Sequence, residues 1–305
     1  MPDQLDGLAL VIDTIGGDVK LECPFSHEDK KKNLSNELKG VGTTLGTNME
    51  SGDQTILNDD EGGGKPLPAK QWMPRPSKDP DKSAVYQEQK PITLINLKSK
   101  ARKSYALTCA AHHLIPAQAS LRDCDLMQWI KEGSEIREDI GYNVNGLQNG
   151  VWLPGNYAMR GKWGKMKDSE DDVADLSDGP TSGKIEDAQY WYAICAMVKV
   201  GAQFHDAHPD YSDFVTKCLN KVAVLMSEQD HFCEKCKKKS KKPKPAPFKL
   251  VHRLNLISDR LRGRLVGQPS SWNKNIWTSR FALAYLNLVS DQRRKPGPFR
   301  CHSLG

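Results

Sequence analysis

The chain has 305 residues, enough for one large domain or two ordinary ones. Hydrophobic residues make up 38% and charged residues 27%, so part of the chain is expected to be linker, and no apolar run of about 18 residues exists to cross a membrane. Net charge is only +6, from 44 Lys and Arg against 38 Asp and Glu, so the placement of charge matters more than its sum. Met1 to Leu10 carries Asp3 and Asp6 and lacks a basic start, which argues against a Sec signal peptide.

Residues Leu8 to Cys23 alternate well enough for one or two strands, with Gly16-Gly17 as the turn. From Lys30 to Lys90 the chain is polar and rich in Gly, Pro, Asp and Lys, and reads as linker. The expected division is therefore 1–90, a strand pair plus linker, and 91–305, the ordered domain. Ile92 to Leu97 and Tyr105 to Ala110 read as strands, and Leu121 to Ile136 as an amphipathic helix. Val151-Trp152-Leu153 is a short strand before Pro154. Asp168 to Asp178 holds six acidic residues and no basic one, a solvated loop. Ala188 to Val200 is apolar nearly all round and predicts a buried helix. Pro209 suits the first turn of the next helix, with Tyr211, Val215, Cys218, Val222 and Leu225 along one face. Lys235 to Lys244 has seven lysines in ten positions. Leu250 to Leu265 is a basic helix with Arg253, Arg260, Arg262 and Arg264, and Phe281 to Val289 a last apolar helix. The fold class expected is α+β.

The eight cysteines are scattered and do not form a secreted disulfide framework; several fall in apolar stretches and read as buried thiols. Cys233 and Cys236 form a CxxC pair, which is half of a structural zinc site. The other half is left open between Cys301-His302 and Cys23 with His27; the bland alternative is two reduced thiols in a loop. The lysine cluster has three readings: a solvated run, a phosphate contact, or a dock for an acidic partner. Few aromatics interleave it, so base reading is not indicated.

Three segments stand out. The first is Ala110-Ala111-His112-His113-Leu114-Ile115-Pro116. The second runs from Gly141 through Asn145 and Asn149-Gly150 to Val151-Trp152-Leu153-Pro154. The third is His205-Asp206-Ala207-His208-Pro209-Asp210-Tyr211. Taken in this order over roughly residues 105–222, they resemble the AHH nucleases, a toxin-associated branch of the HNH endonucleases with a ββα-metal site. The resemblance implies a ββα-metal core embedded in a mostly helical domain. It makes His112 a metal ligand and His113 the general base. It places Asn149 at the central Asn of the motif, where it fixes the base imidazole or reaches the metal, and Asn145 at a second family position that supports loop geometry. His205 and His208 precede a helix start, and one or both complete a one-metal site; His208 is favoured because Pro209 fixes the helix entry beside it. The departure from a compact motif is the stretch Met159 to Asp187, which separates the Asn149 strand from the later histidines.

The chemistry agrees with this pattern. Phosphodiester cleavage needs an activated water, a cation on the phosphate and a stabilised leaving oxygen. Adjacent histidines at a strand end point to opposite sides, so one binds metal and the other meets substrate. A neutral imidazole suits proton abstraction near neutral pH. The expected function is a metal-dependent endonuclease acting on DNA without sequence preference, using one Mg, Mn, Ni or Zn ion. The alternatives are an RNase on the same scaffold, or a non-enzymatic zinc-stapled nucleic-acid-binding module. The resemblance further implies an antibacterial toxin made in the bacterial cytoplasm and secreted without a Sec signal, by a system such as type VI. It would act in the recipient's cytoplasm and be held in check by an immunity protein, with residues 1–90 as a delivery or adaptor segment.

Overall fold

The computed structural model describes residues 23, 25, 36–51, 85–96, 100, 102–130, 139–156, 185–238, 244, 246–247, 250–266, 272, 276–290 and 299–301. The expected strand pair at 8–23, apart from Cys23, and the acidic loop at 168–178 lie outside these residues. The fold is α+β. Its elements in chain order are helix α1 (Gly42–Ser51), strands β1 (Val85–Asn96), β2 (Arg102–His113) and β3 (Gly150–Pro154), helices α2 (Ile185–Val200), α3 (Pro209–Phe232), α4 (Glu234–Lys238), α5 (Leu250–Leu265) and α6 (Arg280–Ser290), and strand β4 (Phe299–Cys301). No helix among the described residues is long and apolar enough to cross a membrane.

Two compact units divide the chain, each drawn from three stretches: 1–69, 113–150 and 209–262 form the first, and 70–112, 151–208 and 263–305 the second. One of the crossings from unit to unit falls between His112 and His113.

The first unit is helical. Its α3 buries Tyr211, Val215, Cys218, Leu219 and Val222, the spacing of one helical face. Tyr211 Oη donates to the Leu114 carbonyl at 2.7 Å, and Ser120 Oγ to that of Ser212 at 2.8 Å. The helix expected over 121–136 is absent from its described part. A π-helical turn (Ala117–Leu121) and a 3-10 turn (Asp125–Trp129) stand there instead. Cys124 between them is extended, at φ −90° and ψ 156°, and Asp125 N–H leaves the local ladder to donate to Asn220 Oδ1 of α3 at 2.8 Å. Leu121, Leu126, Trp129 and Ile130 are nonetheless all buried; the apolar spacing was a true burial signal with the wrong backbone.

A second difference lies in the stretch read as linker. Part of it is helix α1, whose Leu45 and Met49 are fully buried. Residues ahead of it are also fastened. Glu37 bridges Asn143 in parallel, through Glu37 N–H to Tyr142 O and Val144 N–H to Glu37 O, both at 2.9 Å. Asn36 donates to Ile130 O and Asp139 Oδ1 and accepts from Gly141 and Tyr142 N–H. Composition hid this because the backbone of Glu37 and the amide of Asn36 do the fastening ahead of the helix.

The second unit is built on a four-stranded sheet in the order β3-β2-β1-β4, with β1 antiparallel to both β2 and β4. The β1–β2 register slips between Glu88 and Ile92, where four residue steps of β1 face the two steps from Leu107 to Tyr105. Pro91 sits in that slip because it has no N–H to give the ladder. Helix α2 packs on β1, β4 and α6, and Tyr192, Ala193, Ala196 and Met197 join Ile92, Leu94, Leu107, Phe204 and Phe281 in one core. It ends at Gly201, at φ +70°, whose N–H closes on Met197 O at 2.8 Å; that left-handed cap favours glycine. Cys195 of α2 is disulfide-bonded, whereas Cys23, Cys109, Cys124, Cys218, Cys233 and Cys236 carry free thiols.

Two stability predictions follow from the first unit. A Cβ on Gly40 would stand 2.8 Å from Ala117 Cβ, so Gly40→Ala is expected to destabilise by about 1–3 kcal/mol in denaturant unfolding, the usual cost of overpacking. Tyr211→Phe strands the Leu114 carbonyl in the core and is expected to cost about 1–3 kcal/mol, read as a lower denaturation midpoint at unchanged slope.

Candidate metal and catalytic site

In the second unit three histidines converge. His112 is the penultimate residue of β2 and is 2% exposed. His205 is tied to the end of β3: its N–H donates to Pro154 O at 2.7 Å, and it bridges Gly155 in parallel. Gly155 in turn pairs with Thr108 of β2, through Gly155 N–H to Thr108 O at 2.9 Å and Thr108 Oγ1 to Gly155 O at 3.2 Å. Asp206 N–H donates to Thr278 O at 3.1 Å, and Asn156 Nδ2 to Asp206 Oδ1 at 3.3 Å. These bonds fasten His205 and Asp206, just ahead of α3 in the chain.

The three rings form a nearly equilateral triangle. Centroids are 5.0 Å apart for His112 and His205, 5.0 Å for His112 and His208, and 5.2 Å for His205 and His208. One nitrogen from each lies within 4.8 Å of the others. Burial holds the His208 imidazole below its usual pKa, against the opposing pull of its own backbone and the Asp206 charge. The donor set fits a metal. Three neutral imidazoles suit a borderline divalent ion, and three protein ligands with an open position is the arrangement of catalytic sites.

His113 belongs to the first unit. Its Nε2 lies 3.0 Å from Asn145 Oδ1. The Asn145 amide is oriented by its other partners: Nδ2 donates to Glu37 Oε1 and to Lys39 O, both at 2.9 Å, and Oδ1 accepts Val41 N–H at 2.8 Å. An oxygen therefore faces the imidazole, and His113 must carry its proton on Nε2. That leaves the lone pair on Nδ1 to accept a proton. Burial holds His113 below its ordinary pKa, the Asn145 bond opposing, so the ring is neutral at neutral pH.

Asn149 occupies a different place. It is 1% exposed, and its Oδ1 accepts from Ile115 N–H at 2.7 Å and Ser258 Oγ at 3.0 Å. Its Nδ2 donates to Ile115 O at 3.0 Å and Val144 O at 2.9 Å. Its side chain is spent on the backbone two residues past His113, and the ring bond comes from Asn145. Asn149 thus positions the β2 exit, while Asn145 holds the imidazole.

The basic helix α5 is partly structural. Arg262 donates to Gly150 O at 3.2 Å and Gln148 O at 2.5 Å, and pairs with Asp259. Desolvation lowers the pKa of Arg253, while Arg260 is exposed. Cys233 and Cys236 meet Cys23; Cys301 lies in β4, in the other unit, and His27 and His302 lie outside the described residues. Of the lysine cluster, Lys235 and Lys237 are exposed, and Lys244 lies over the rings of Phe25 and Trp129.

Motif reading alone did not weigh Glu37, Lys39, Val41 or Ser258 as parts of the site. Three of them contribute backbone or a single carboxylate from the polar stretch, which carries no sequence signal.

No curated protein and no solved structure matches the chain. Residues 95–251 match the model of AHH, a nuclease family of the HNH/ENDO VII superfamily with conserved AHH; the Ala111-His112-His113 tripeptide, with His112 in the histidine triangle and His113 on Asn145, stands within that span. The chain belongs to the AHH nuclease family.

Proposed function

We propose that this nuclease is a metal-dependent endonuclease that hydrolyses DNA phosphodiester bonds without sequence preference. The observation that carries the reading is the triangle of His112, His205 and His208. His112, His205 and His208 would hold one divalent ion, Mg, Mn, Ni or Zn. When bound, such an ion neutralises charge on the scissile phosphate and on the departing 3′ oxygen. The core is read as a ββα-metal motif in which β2 supplies His112 and His113, the segment before β3 supplies Asn149, and the residues just ahead of α3 supply the remaining ligands.

His113 is the general base. Its Nε2–H is committed to Asn145, so Nδ1 takes the proton of the attacking water. The water oxygen bonds to phosphorus, the bond from phosphorus to the 3′ oxygen breaks, and the proton rests on the imidazole. The partial burial that keeps His113 neutral also keeps it available as a base. Asn145 and Asn149 are positioning residues. Arg260 and the exposed lysines Lys235 and Lys237 offer phosphate contacts that read no base. The antibacterial role rests on what the AHH resemblance implies: secretion into a competitor cell, action in its cytoplasm, and a cognate immunity protein, acidic where it covers basic surface.

The test is plasmid cleavage by purified protein, with and without EDTA, beside variants and beside an RNA substrate. Cleavage is expected to require metal and to fall by about a hundred- to ten-thousand-fold in His113→Ala, the typical worth of a general base, with metal content unchanged. His112→Ala and His208→Ala are expected to lose activity together with the metal held by the histidines. Equal cleavage by His113→Ala and the parent sinks the base assignment, and preference for RNA sinks the DNA reading. Asn145→Ala is expected to lower turnover with little change in metal content. Asn149→Ala is expected instead to lower unfolding stability by about 1–3 kcal/mol, because it strands buried backbone groups.

A further inference from the structure

Away from the histidines, the first unit gathers Cys23, Cys233 and Cys236. One sulfur from each lies within 4.8 Å of the other two, and Cys23 Sγ is 3.4 Å from Cys236 Sγ. Cys236 is buried, and the other two are half-buried. Cys23 is 213 residues from Cys236, so the chain closes a very long loop to bring it there.

Local structure sets up the pair. Cys233 stands between α3 and α4, and its carbonyl accepts Lys237 N–H at 3.0 Å. That turn brings Cys236 round to the side of Cys233. The third sulfur arrives with a hydrophobic anchor. Phe25, two residues beyond Cys23, packs on Trp129 with centroids 5.4 Å apart, and Lys244 Nζ covers both rings at 5.2 Å and 5.5 Å.

We propose that Cys23, Cys233 and Cys236 form a structural zinc site. Zinc–sulfur bonds of about 2.3 Å at tetrahedral angles place sulfurs roughly 3.8 Å apart, inside the observed span. A disulfide needs sulfurs at about 2.05 Å, well short of the 3.4 Å between Cys23 and Cys236. The donor chemistry is also distinct from that of the histidine triangle, since soft thiolates select zinc or another thiophilic ion over magnesium or manganese. On binding, each thiol releases its proton to solvent and its sulfur bonds to zinc. Three thiolates around one zinc leave a charge of −1; Lys235 and Lys237 flank Cys236 in the chain, with Lys237 paired to Glu234 at 3.1 Å. The fourth position falls to solvent. The ion then clamps the segment at Cys23 and Phe25 to the corner between α3 and α4, where the lysine-rich run begins.

The experiment uses the full chain in which His112→Ala and His208→Ala remove the histidine site. The chain is purified under reducing conditions, and its metal is measured by mass spectrometry. About one zinc per chain is expected, and replacement by cobalt is expected to give a sulfur-to-metal charge-transfer band in the near ultraviolet. Cys236→Ser in the same background is expected to lose the band and bring zinc to about zero. Because that variant can fail to fold, the cobalt spectrum of the chain with intact cysteines decides by itself. A folded chain with no bound zinc and no charge-transfer band overturns the proposal. So does a Cys23–Cys236 disulfide in the freshly purified protein. Neither result bears on the nuclease reading, which rests on the other three ligands.

Discussion

Asn149 has all four of its hydrogen-bonding positions filled at 1% exposure. A primary amide has two donor and two acceptor sites, and burying one is tolerable when each finds a partner. Here the partners are the backbone of Ile115, the backbone of Val144 and the hydroxyl of Ser258 on α5. The bond set fastens the exit of β2 to the loop before β3, and Leu114 N–H adds a further bond to Asn149 O at 2.8 Å. His113 directly precedes the residues so fastened, which fixes the backbone from which its imidazole projects.

Two other asparagines repeat the device. Asn145 is 0% exposed and also fully bonded, to Glu37, Lys39, Val41 and His113. Asn36 divides its four bonds among Ile130, Asp139, Gly141 and Tyr142. Such an amide discriminates between geometries more sharply than an apolar contact, because a misplaced donor is left unpaired at a cost of about 1–3 kcal/mol. Between its helices, the first unit uses this directionality in the turns and loops at 36–41, 114–130 and 139–149. The consequence for chemistry is the tautomer of His113. It follows from Asn145's orientation, which follows from residues 37–41.

The histidine triangle relies on a different constraint. Its residues come from a strand end, from a turn tied to a neighbouring strand, and from the residue before a helix. Sheet pairing through Thr108 and Gly155 and the bond from His205 N–H to Pro154 O hold them together. Among the described residues no acidic side chain joins the triangle, and the Asp206 charge lies near His208. An all-imidazole set would leave a bound divalent ion with its full formal charge, available to polarise a phosphate.

Much of this was legible in the amino-acid sequence. Strands with apolar runs, the buried helix α2, the one-sided face of α3 and the bounds of α5 follow from periodicity, which is a local property. The His112-His113 pair at a strand end, the Asn149 segment, the histidines before Pro209 and the CxxC pair are likewise local patterns, and three of them in order carried the family. Tertiary structure decided what local pattern leaves open. Within the described part of the helix expected at 121–136 it set a 3-10 turn at 125–129 in place of helix, with Asp125 N–H on Asn220 of α3. It made part of the polar stretch into α1 and the frame of Asn145. It brought both His205 and His208 to His112, gave the imidazole bond to Asn145 rather than Asn149, and set Cys23 beside Cys236. Each of these choices pairs groups dozens to hundreds of residues apart in the chain. Side-chain spacing encodes which face is buried, but the identity of a distant partner depends on how the whole chain closes.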